Sequence, residues 1–277
     1  MTSKRELIRE QRRWAKSKGL QPDARSYLET YERNLFRPLS AKALAAFERG
    51  HGSELQDTPS RPAKMRALHS SAVLAVNVFD HWSGNDAGPL LEALGLDSTL
   101  TSLDFETQFP TGLAGTPPSL DVALTLGCGE TIGIESKFTE WLTPKRSTRT
   151  AFKDKYFEGG ATLWANAGLP ACQALAADMQ DGSEHFRHLD AAQLLKHTLG
   201  LATQHGDRFS LYYVYFDLPC PASAGHRDDI VRFTERVGAE IRFRAISYQE
   251  IFSALITLDA VDRSYLDYLA SRYFDAA

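Results

Sequence analysis

The chain has 277 residues, of which 43% are hydrophobic and 24% charged, the composition of an ordinary soluble globular protein. This length suits one large α/β domain with an appendage, or two small domains. A formal net charge of −4 argues against a protein that is basic throughout, such as a non-specific nucleic-acid coat. A nucleic-acid partner would therefore need local basic patches.

Several kinds of segment are missing from the sequence. No run approaches the roughly 18 apolar residues of a membrane span, and the first ten residues lack the apolar core of a signal peptide. We therefore expect a cytoplasmic protein with no membrane partner. Cys128, Cys172 and Cys220 lie far apart without CxxC spacing, which favours free thiols over a disulfide framework or a zinc site.

The first 50 residues predict two helices, ELIREQRRWAK and AKALAAFERG, the second ending at Gly50. The first helix is rich in Lys and Arg. It would either lie along phosphates or be a solvated face with internal ion pairs. Residues 51–64 have the Gly, Ser and Pro content of a linker. We therefore expect an N-terminal helical extension and linker over residues 1–60, and the main domain over residues 61–277.

Two elements are predicted before the middle of the chain. Residues 65–82 are apolar enough for a helix that is buried on much of its surface. Residues 102–110, SLDFETQFP, alternate like a strand. Asp104 or Glu106 would be available there as an additional carboxylate, although a solvated strand face is the simpler interpretation.

The stretch from residue 119 to 141 predicts a β-hairpin, because runs of Val, Ile, Leu and Thr flank the turn Gly127-Cys128-Gly129. Alternation places Asp121 on the face opposite the apolar set, which has Leu120, Val122, Leu124 and Leu126. Glu135 and Lys137 share the corresponding face of the second strand. For the apolar faces to coincide, Asp121 must lie opposite Glu135 or opposite Lys137.

Two carboxylates and an ammonium at adjacent cross-strand positions can hold a hard divalent cation through oxygen ligands. The lysine would then orient or deprotonate a water, or stabilise developing negative charge. We expect this face to be open, with a recess beside the small residues Ala123 and Gly133. The alternative is a surface ion triad on the solvated side of the hairpin, which is the commoner situation for an arbitrary hairpin.

Asp121 followed on the next strand by Glu135-Ser136-Lys137 resembles the signature of the PD-(D/E)XK, or restriction-endonuclease-like, nuclease superfamily. The resemblance covers the hairpin closely and residues 65–246 loosely. The sequence departs from the pattern at Leu120, where the family name has proline, although Pro117 and Pro118 stand just before it.

This resemblance implies an α/β fold with a restriction-endonuclease-like αβββαβ core, in which helices flank a mixed sheet, plus the N-terminal helical extension. It further implies an endonuclease that hydrolyses DNA with Mg²⁺, for which Mn²⁺ would substitute. The metal ligands would be Asp121, Glu135 and the carbonyl of Ser136. Lys137 would position or activate the attacking water. Double-stranded DNA is the expected partner, and a homodimer would cut both strands.

Two other function classes are considered. A non-catalytic nucleic-acid-binding or assembly protein on the same fold is the alternative, although it would have little need of an intact Asp121, Glu135 and Lys137. A small-molecule hydrolase is weaker, because neither a G-x-S-x-G nor an H-E-x-x-H string is present. The chain also lacks a phosphate-binding G-x-x-x-x-G-K-[ST] loop, so ATP-driven translocation is not supported.

A basic segment follows the hairpin, at the place where phosphates would have to be held. Its predicted nucleic-acid contacts are Lys145, Arg146, Arg149, Lys153 and Lys155. The alternative is that these side chains are merely solvated.

Asp190 then predicts the N-cap of a helix whose polar side carries Gln193, Lys196 and His197. Gln193 resembles the glutamine that faces the metal site in the superfamily, which makes it a candidate catalytic residue. A solvated polar stripe is the alternative, and a lone His197 is too slight a basis for a catalytic base. Residues 208–219 predict a buried central strand, followed by a helix, a strand at 240–246 and two closing helices.

Overall fold

The structure is a computed structural model that describes residues 4–50, 52–145 and 151–275. Its sheet has five strands: β1 (Leu100–Gln108), β2 (Ser119–Leu126), β3 (Thr131–Lys137), β4 (Phe209–Tyr215) and β5 (Arg242–Ser247). They lie side by side in chain order. β1, β2 and β3 pair antiparallel, whereas β3, β4 and β5 pair parallel. The predicted α/β class, with a mixed sheet flanked by helices, is confirmed.

Helices precede, connect and follow the strands. Before the sheet come α1 (Lys4–Ser17), α2 (Ala41–Arg49), α3 (Ser71–Phe79) and α4 (Gly88–Ala93). Between β3 and β4 lie α5 (Leu163–Asn166), α6 (Pro170–Asp181) and α7 (Ala191–His205). The helix α8 (Ala222–Val237) connects β4 to β5, and α9 (Tyr248–Leu255) and α10 (Arg263–Leu269) close the chain before a π-helical turn at Ala270–Phe274.

Side-chain caps fix where several helices begin. Asp190 accepts a hydrogen bond from the backbone N–H of Gln193 and starts α7 at the predicted place. Ser70 does the same for α3, accepting from the N–H of Val73. The helix predicted over residues 65–82 is therefore shorter, because a polar cap starts it at residue 71.

The sheet separates two hydrophobic clusters. On one face, Val122, Ile132 and Ile134 pack with α3. On the other face, Leu211 and Tyr213 of β4 pack with α6, α7 and α8. All five side chains are at most 1% exposed, so each contributes roughly 1.5–3 kcal/mol through burial. β4 is buried over six of its seven residues, as expected for a central strand covered on both faces.

The N-terminal helices pack on the first of these clusters. Leu7 and Phe47 belong to it, and the ring of Phe47 lies 5.8 Å from that of Phe105 in β1. Nζ of Lys42 lies 2.7 Å from the carboxylate of Asp104, also in β1. These contacts tie the segment to the sheet without defining a domain boundary, so the division at residue 60 stays a prediction.

A single buried arginine joins the two ends of the described chain. Arg272, in the π-helical turn, is 3% exposed and donates to the carbonyl oxygen and Oδ1 of Asn34. Its guanidinium carbon lies 4.3 Å from the ring centroid of Trp14 in α1 and 4.8 Å from that of Tyr273. Cation–π contacts and neutral acceptors thus hold this charge in place of a carboxylate.

In the part of the chain that the structure describes, every helix is too short or too polar to cross a membrane.

Candidate active site

The two strands of the hairpin take the first of the two predicted registers. The last paired residues are Val122 and Ile134, so one further step places Asp121 opposite Glu135. Beyond that point the main-chain ladder stops, and the N–H of Ser136 donates instead to Oδ2 of Asp121 at 2.6 Å. The acid of β2 is therefore fixed directly against the Glu-Ser-Lys segment of β3.

The alternation of β2 breaks at Asp121. Leu120 packs in the α7-side cluster, although Val122 packs on the α3 side, so the expectation that they share a face is wrong. The neighbouring strand explains the break. Glu106, the residue of β1 opposite Asp121, has a φ of 48°, and the pairing of β1 with β2 omits both residues. A left-handed backbone at a non-glycine residue interrupts the regular pleat.

The expected recess beside Gly133 is absent. A methyl group built at Gly133 would lie 2.6 Å from Cδ1 of Leu120 and 2.9 Å from Cδ1 of Leu201. These two leucines fill the space in question. Gly133 therefore lets α7 approach the sheet closely and leaves no room for a ligand.

The face that carries the acids is covered, where we expected it to be open. The helix α7 lies over it, so that Glu135 is only 1% exposed, while Asp121 is partly exposed. The ammonium of Lys137 forms an ion pair with Glu135 and also donates to Oε1 of Gln193 at 3.2 Å. The side chain of Lys137 is 15% exposed, so it lies between the buried acid and solvent. Four predicted residues, Asp121, Glu135, Lys137 and Gln193, thus meet in one place.

His197 is a site residue that sequence reasoning undervalued. Its Nε2 lies 2.9 Å from Oε2 of Glu135, and its side chain is 1% exposed. The available signal was its spacing: Gln193 and His197 are four residues apart and therefore share one face of α7. One helix face thus contacts both Lys137 and Glu135.

Oε2 of Glu135 is a buried carboxylate oxygen with no hydrogen-bond partner. Nε2 of His197 lies 2.9 Å from it, the distance of an ion pair, although the two atoms do not meet the criteria of a hydrogen bond. An oxygen whose one close neighbour among the described residues is an imidazole fits a position that can accept a cation.

Burial and neighbouring charges set the pKa values in the site. Burial alone would raise the pKa of Glu135, but the charges of Lys137 and then His197 lower it to about 2. Burial, followed by the charge of Glu135, raises the pKa of Asp121 well above its ordinary value. The pKa of Lys137 is raised by Glu135 and Asp121 despite the opposing effect of burial. The lysine is therefore an ammonium that stands beside the ionised carboxylate of Glu135.

Oxygen donors from two neighbouring strands stand close together in the candidate site. Among the described residues, no group of three or more His, Cys, Asp or Glu side chains is arranged to hold a metal ion. Asp121 and Glu135 offer two carboxylates. The carbonyl of Ser136 adds an oxygen on the β2 side, where the N–H of the same residue points. Mg²⁺ commonly binds through one or two carboxylates and completes its shell with water and substrate phosphates, so this donor set fits it.

The predicted basic segment is only partly described. Arg146 and Arg149 lie outside the described residues. Nζ of Lys145 lies 2.6 Å from Oδ2 of Asp190, Nζ of Lys155 donates to the carbonyl of Ala114 at 2.5 Å, and Lys153 is exposed. Contact of these side chains with nucleic acid stays a prediction.

One protein family matches nearly the whole chain. Its description is "Restriction Endonuclease associating with ARP", and the match covers residues 3–274. The chain belongs to this family. The predicted relation to restriction-endonuclease-like proteins is therefore confirmed. A search of curated proteins and a search of solved structures each found no match.

Proposed function

We propose that the protein is a Mg²⁺-dependent endonuclease that hydrolyses phosphodiester bonds of DNA. The observation that carries this proposal is the meeting of Asp121, Glu135, Lys137 and Gln193 in one place, with one oxygen of Glu135 not engaged in a hydrogen bond. Membership of a restriction-endonuclease family supports it independently. In this proposal α3, β1, β2, β3, α7 and β4 correspond to the αβββαβ core of that nuclease fold.

Asp121, Glu135 and the carbonyl of Ser136 would hold the cation. Bound Mg²⁺ would supply a more acidic water and positive charge for the phosphate as it becomes pentavalent, and Mn²⁺ would substitute. Glu135 has one oxygen free for this task, whereas Asp121 is already oriented by the N–H of Ser136.

Lys137 acts as a cation and hydrogen-bond donor. Its ammonium pairs with Glu135, which despite burial raises its pKa above the ordinary value, and donates to Oε1 of Gln193. We therefore assign it to orienting the attacking water and stabilising charge on the phosphate. Gln193 fixes the ammonium through Oε1, which leaves the amide nitrogen of Gln193 to support the water or the scissile phosphate.

The family supports DNA as the substrate class. We propose double-stranded DNA as the substrate and a homodimer as the form that cuts both strands. The family name describes association with ARP, and we propose that this chain also associates with that partner. The non-catalytic alternative, a nucleic-acid-binding protein on the same fold, would bind DNA but no cation at the hairpin.

The test is incubation of plasmid DNA with the protein and Mg²⁺. We expect cleavage by the wild type and its loss in Asp121→Ala, Glu135→Ala and Lys137→Ala. Asp104→Asn is a matched control, because Asp104 is a carboxylate of the adjacent strand whose partner is the exposed Lys42. Cleavage that persists in all three site variants would refute the assignment. A wild type that binds DNA without cutting it, and that shows no Mg²⁺ or Mn²⁺ binding in a titration, would establish the alternative.

A further inference from the structure

A cavity of about 600 Å³ opens at the N-terminus of α7, beside the candidate active site. The charged or titratable side chains that line it are Glu140, Lys145, His185, Asp190 and Lys196. Asp190 is the N-cap of α7, and Lys196 lies on the polar side of that helix. We call this cavity the α7 pocket.

Lys196 has no anionic partner in the α7 pocket. Among the described residues its Nζ forms neither an ion pair nor a hydrogen bond, and it lies 5.4 Å from the ring centroid of Phe152. The side chain is neither fully buried nor exposed. A partly desolvated ammonium without a counter-charge is unusual and favours an anion that binds from solvent.

The carboxylates of the α7 pocket are already engaged. Asp190 accepts from the N–H of Gln193 and from Nζ of Lys145. Glu140 accepts from the N–H groups of Phe138 and Thr139. Neither acid is therefore left to neutralise Lys196.

Two further lysines, Lys145 and Lys153, add positive charge around Lys196. Burial lowers the pKa of Lys196, Asp190 opposes this, and the charges of Lys145 and Lys153 lower it further. Of the residues that the structure describes, two acids line the α7 pocket, but Asp190 pairs with Lys145 and Glu140 accepts from backbone N–H groups. An anion bound beside Lys196 would relieve both its desolvation and its repulsion by the other lysines.

We infer that the α7 pocket binds a phosphate group of the nucleic-acid strand, with Lys196 as its principal ligand and Lys145 as a second. Lys196 is three residues from Gln193, so the two side chains start about 5–6 Å apart on one helix face. The bound phosphate would thus neighbour the scissile one and fix the strand in register. This inference rests on the proposed function for its substrate, but it is tested by binding alone.

The experiment measures binding of a fluorescent DNA duplex by anisotropy, in EDTA, over a series of KCl concentrations. Each lysine–phosphate contact contributes about 0.9 to the slope of log K against log salt. This slope is negative. We expect its magnitude to decrease by about 0.9 in Lys196→Met and to stay unchanged in Lys196→Arg. Arg263→Met is the charge-matched control, because it removes one cation from an exposed ion pair with Asp267 on α10.

Equal slopes for the wild type and Lys196→Met would overturn the inference, as would a wild type with no salt-dependent binding. Duplexes with and without a 5′-phosphate distinguish the two sources of the anion. A decrease of the slope on both duplexes indicates an internal phosphodiester, and a decrease only on the phosphorylated duplex indicates a terminal phosphate; either result supports a phosphate site. The assay contains EDTA and therefore does not depend on cleavage. If Lys196→Met changes the salt dependence of binding but the wild type does not cleave DNA with Mg²⁺, the result counts against the proposed nuclease and not against the α7 pocket.

Discussion

Glu135 is the residue on which the site depends, because its two oxygens have different surroundings. One oxygen forms the ion pair with Lys137, and the other lies near His197 without a hydrogen bond. In the absence of a metal, the lysine supplies the charge that keeps the buried acid ionised. Substitutions at these positions should therefore change metal binding and stability in a coupled way.

Lys137→Met should destabilise the metal-free protein by about 3 kcal/mol, because it leaves the Glu135 carboxylate buried without its cation. Mg²⁺ should restore part of this stability, so the rise of the melting temperature on adding Mg²⁺ should be larger than in the wild type. Lys42→Met, which breaks an ion pair that is half exposed, should change stability by less than about 1 kcal/mol. An identical Mg²⁺ response in wild type and Lys137→Met would contradict this prediction.

His197→Ala should weaken Mg²⁺ binding about tenfold or more, because the buried ring that lies 2.9 Å from the second oxygen of Glu135 no longer limits where that oxygen can lie. His197→Gln should retain part of the affinity. His205→Ala is the control, since it removes a partly buried histidine that contacts Phe109 from the same helix. Calorimetric titration with Mg²⁺ measures the affinities, and equal loss in both alanine variants would indicate a general effect on α7.

Among the elements, α7 and β3 must approach closely for the site to form. Gly133 of β3 allows this contact, and Gly200 of α7 allows another on the same helix. A methyl group at Gly200 would lie 2.5 Å from the carbonyl oxygen of Phe109, which is a backbone atom and cannot rotate away. At Gly133 the obstructing atoms are the ends of leucine side chains, which can move.

Gly200→Ala should therefore destabilise the protein by about 1–3 kcal/mol, although alanine is the better helix former by about 1 kcal/mol. Gly133→Ala should have a smaller effect, because Leu120 and Leu201 can shift. Urea denaturation of both variants measures the difference. If Gly200→Ala is at least as stable as the wild type, the backbone at Phe109 must move to make room for the methyl group, and the prediction is wrong.

The elements differ in how far local sequence determined them. Alternation and the Gly127-Cys128-Gly129 turn were enough to predict the hairpin and to limit its register to two choices. The coverage of the Asp121 face was not predictable, because it depends on a helix that begins at Ala191, far along the chain. Local periodicity carries no information about which sheet face such a helix covers. The reversal of Leu120 was equally hidden, since it follows the backbone conformation of Glu106 in another strand.

The same distinction holds for the site. A short motif predicted Asp121, Glu135 and Lys137, and an analogy predicted Gln193, because these residue types stand in a recognisable order; the four residues meet in the structure. The contact of His197 with Glu135 needed the position of α7 on the sheet. The unpaired state of Lys196 also needed the structure, since sequence shows a charge and not what surrounds it.

For the molecule as a whole, buried histidines make stability depend on pH. His226 is 1% exposed, its Nε2 lies 2.9 Å from the hydroxyl of Tyr213, and its ring stacks on Trp141. Burial, followed by the charge of His188, lowers the pKa of His226 to about 4. Between pH 6.5 and 4 the unfolded chain binds a proton that the folded chain does not, so this residue makes stability fall as the pH is lowered.

When the pH is lowered from 6.5 to 4, the free energy of unfolding of the wild type should therefore fall by up to about 3 kcal/mol more than that of His226→Gln. The difference should grow by about 1.4 kcal/mol per pH unit in the middle of that range. Comparing urea denaturation of the two proteins at each pH cancels the titration of other groups, such as Glu106, whose pKa is raised to about 7, first by burial. Parallel curves for the two proteins would contradict the prediction.

The buried guanidinium of Arg272 has a consequence for how the molecule opens. Because it donates to Asn34 and stacks on Trp14 of α1, neither the first helix nor the final turn can detach without losing these hydrogen bonds and cation–π contacts and exposing two aromatic surfaces. Chain ends ordinarily fray before the rest of a domain. Here the amide protons around Trp14 and those around Leu269 should exchange with solvent at similar slow rates, and Arg272→Ala should accelerate the exchange of both.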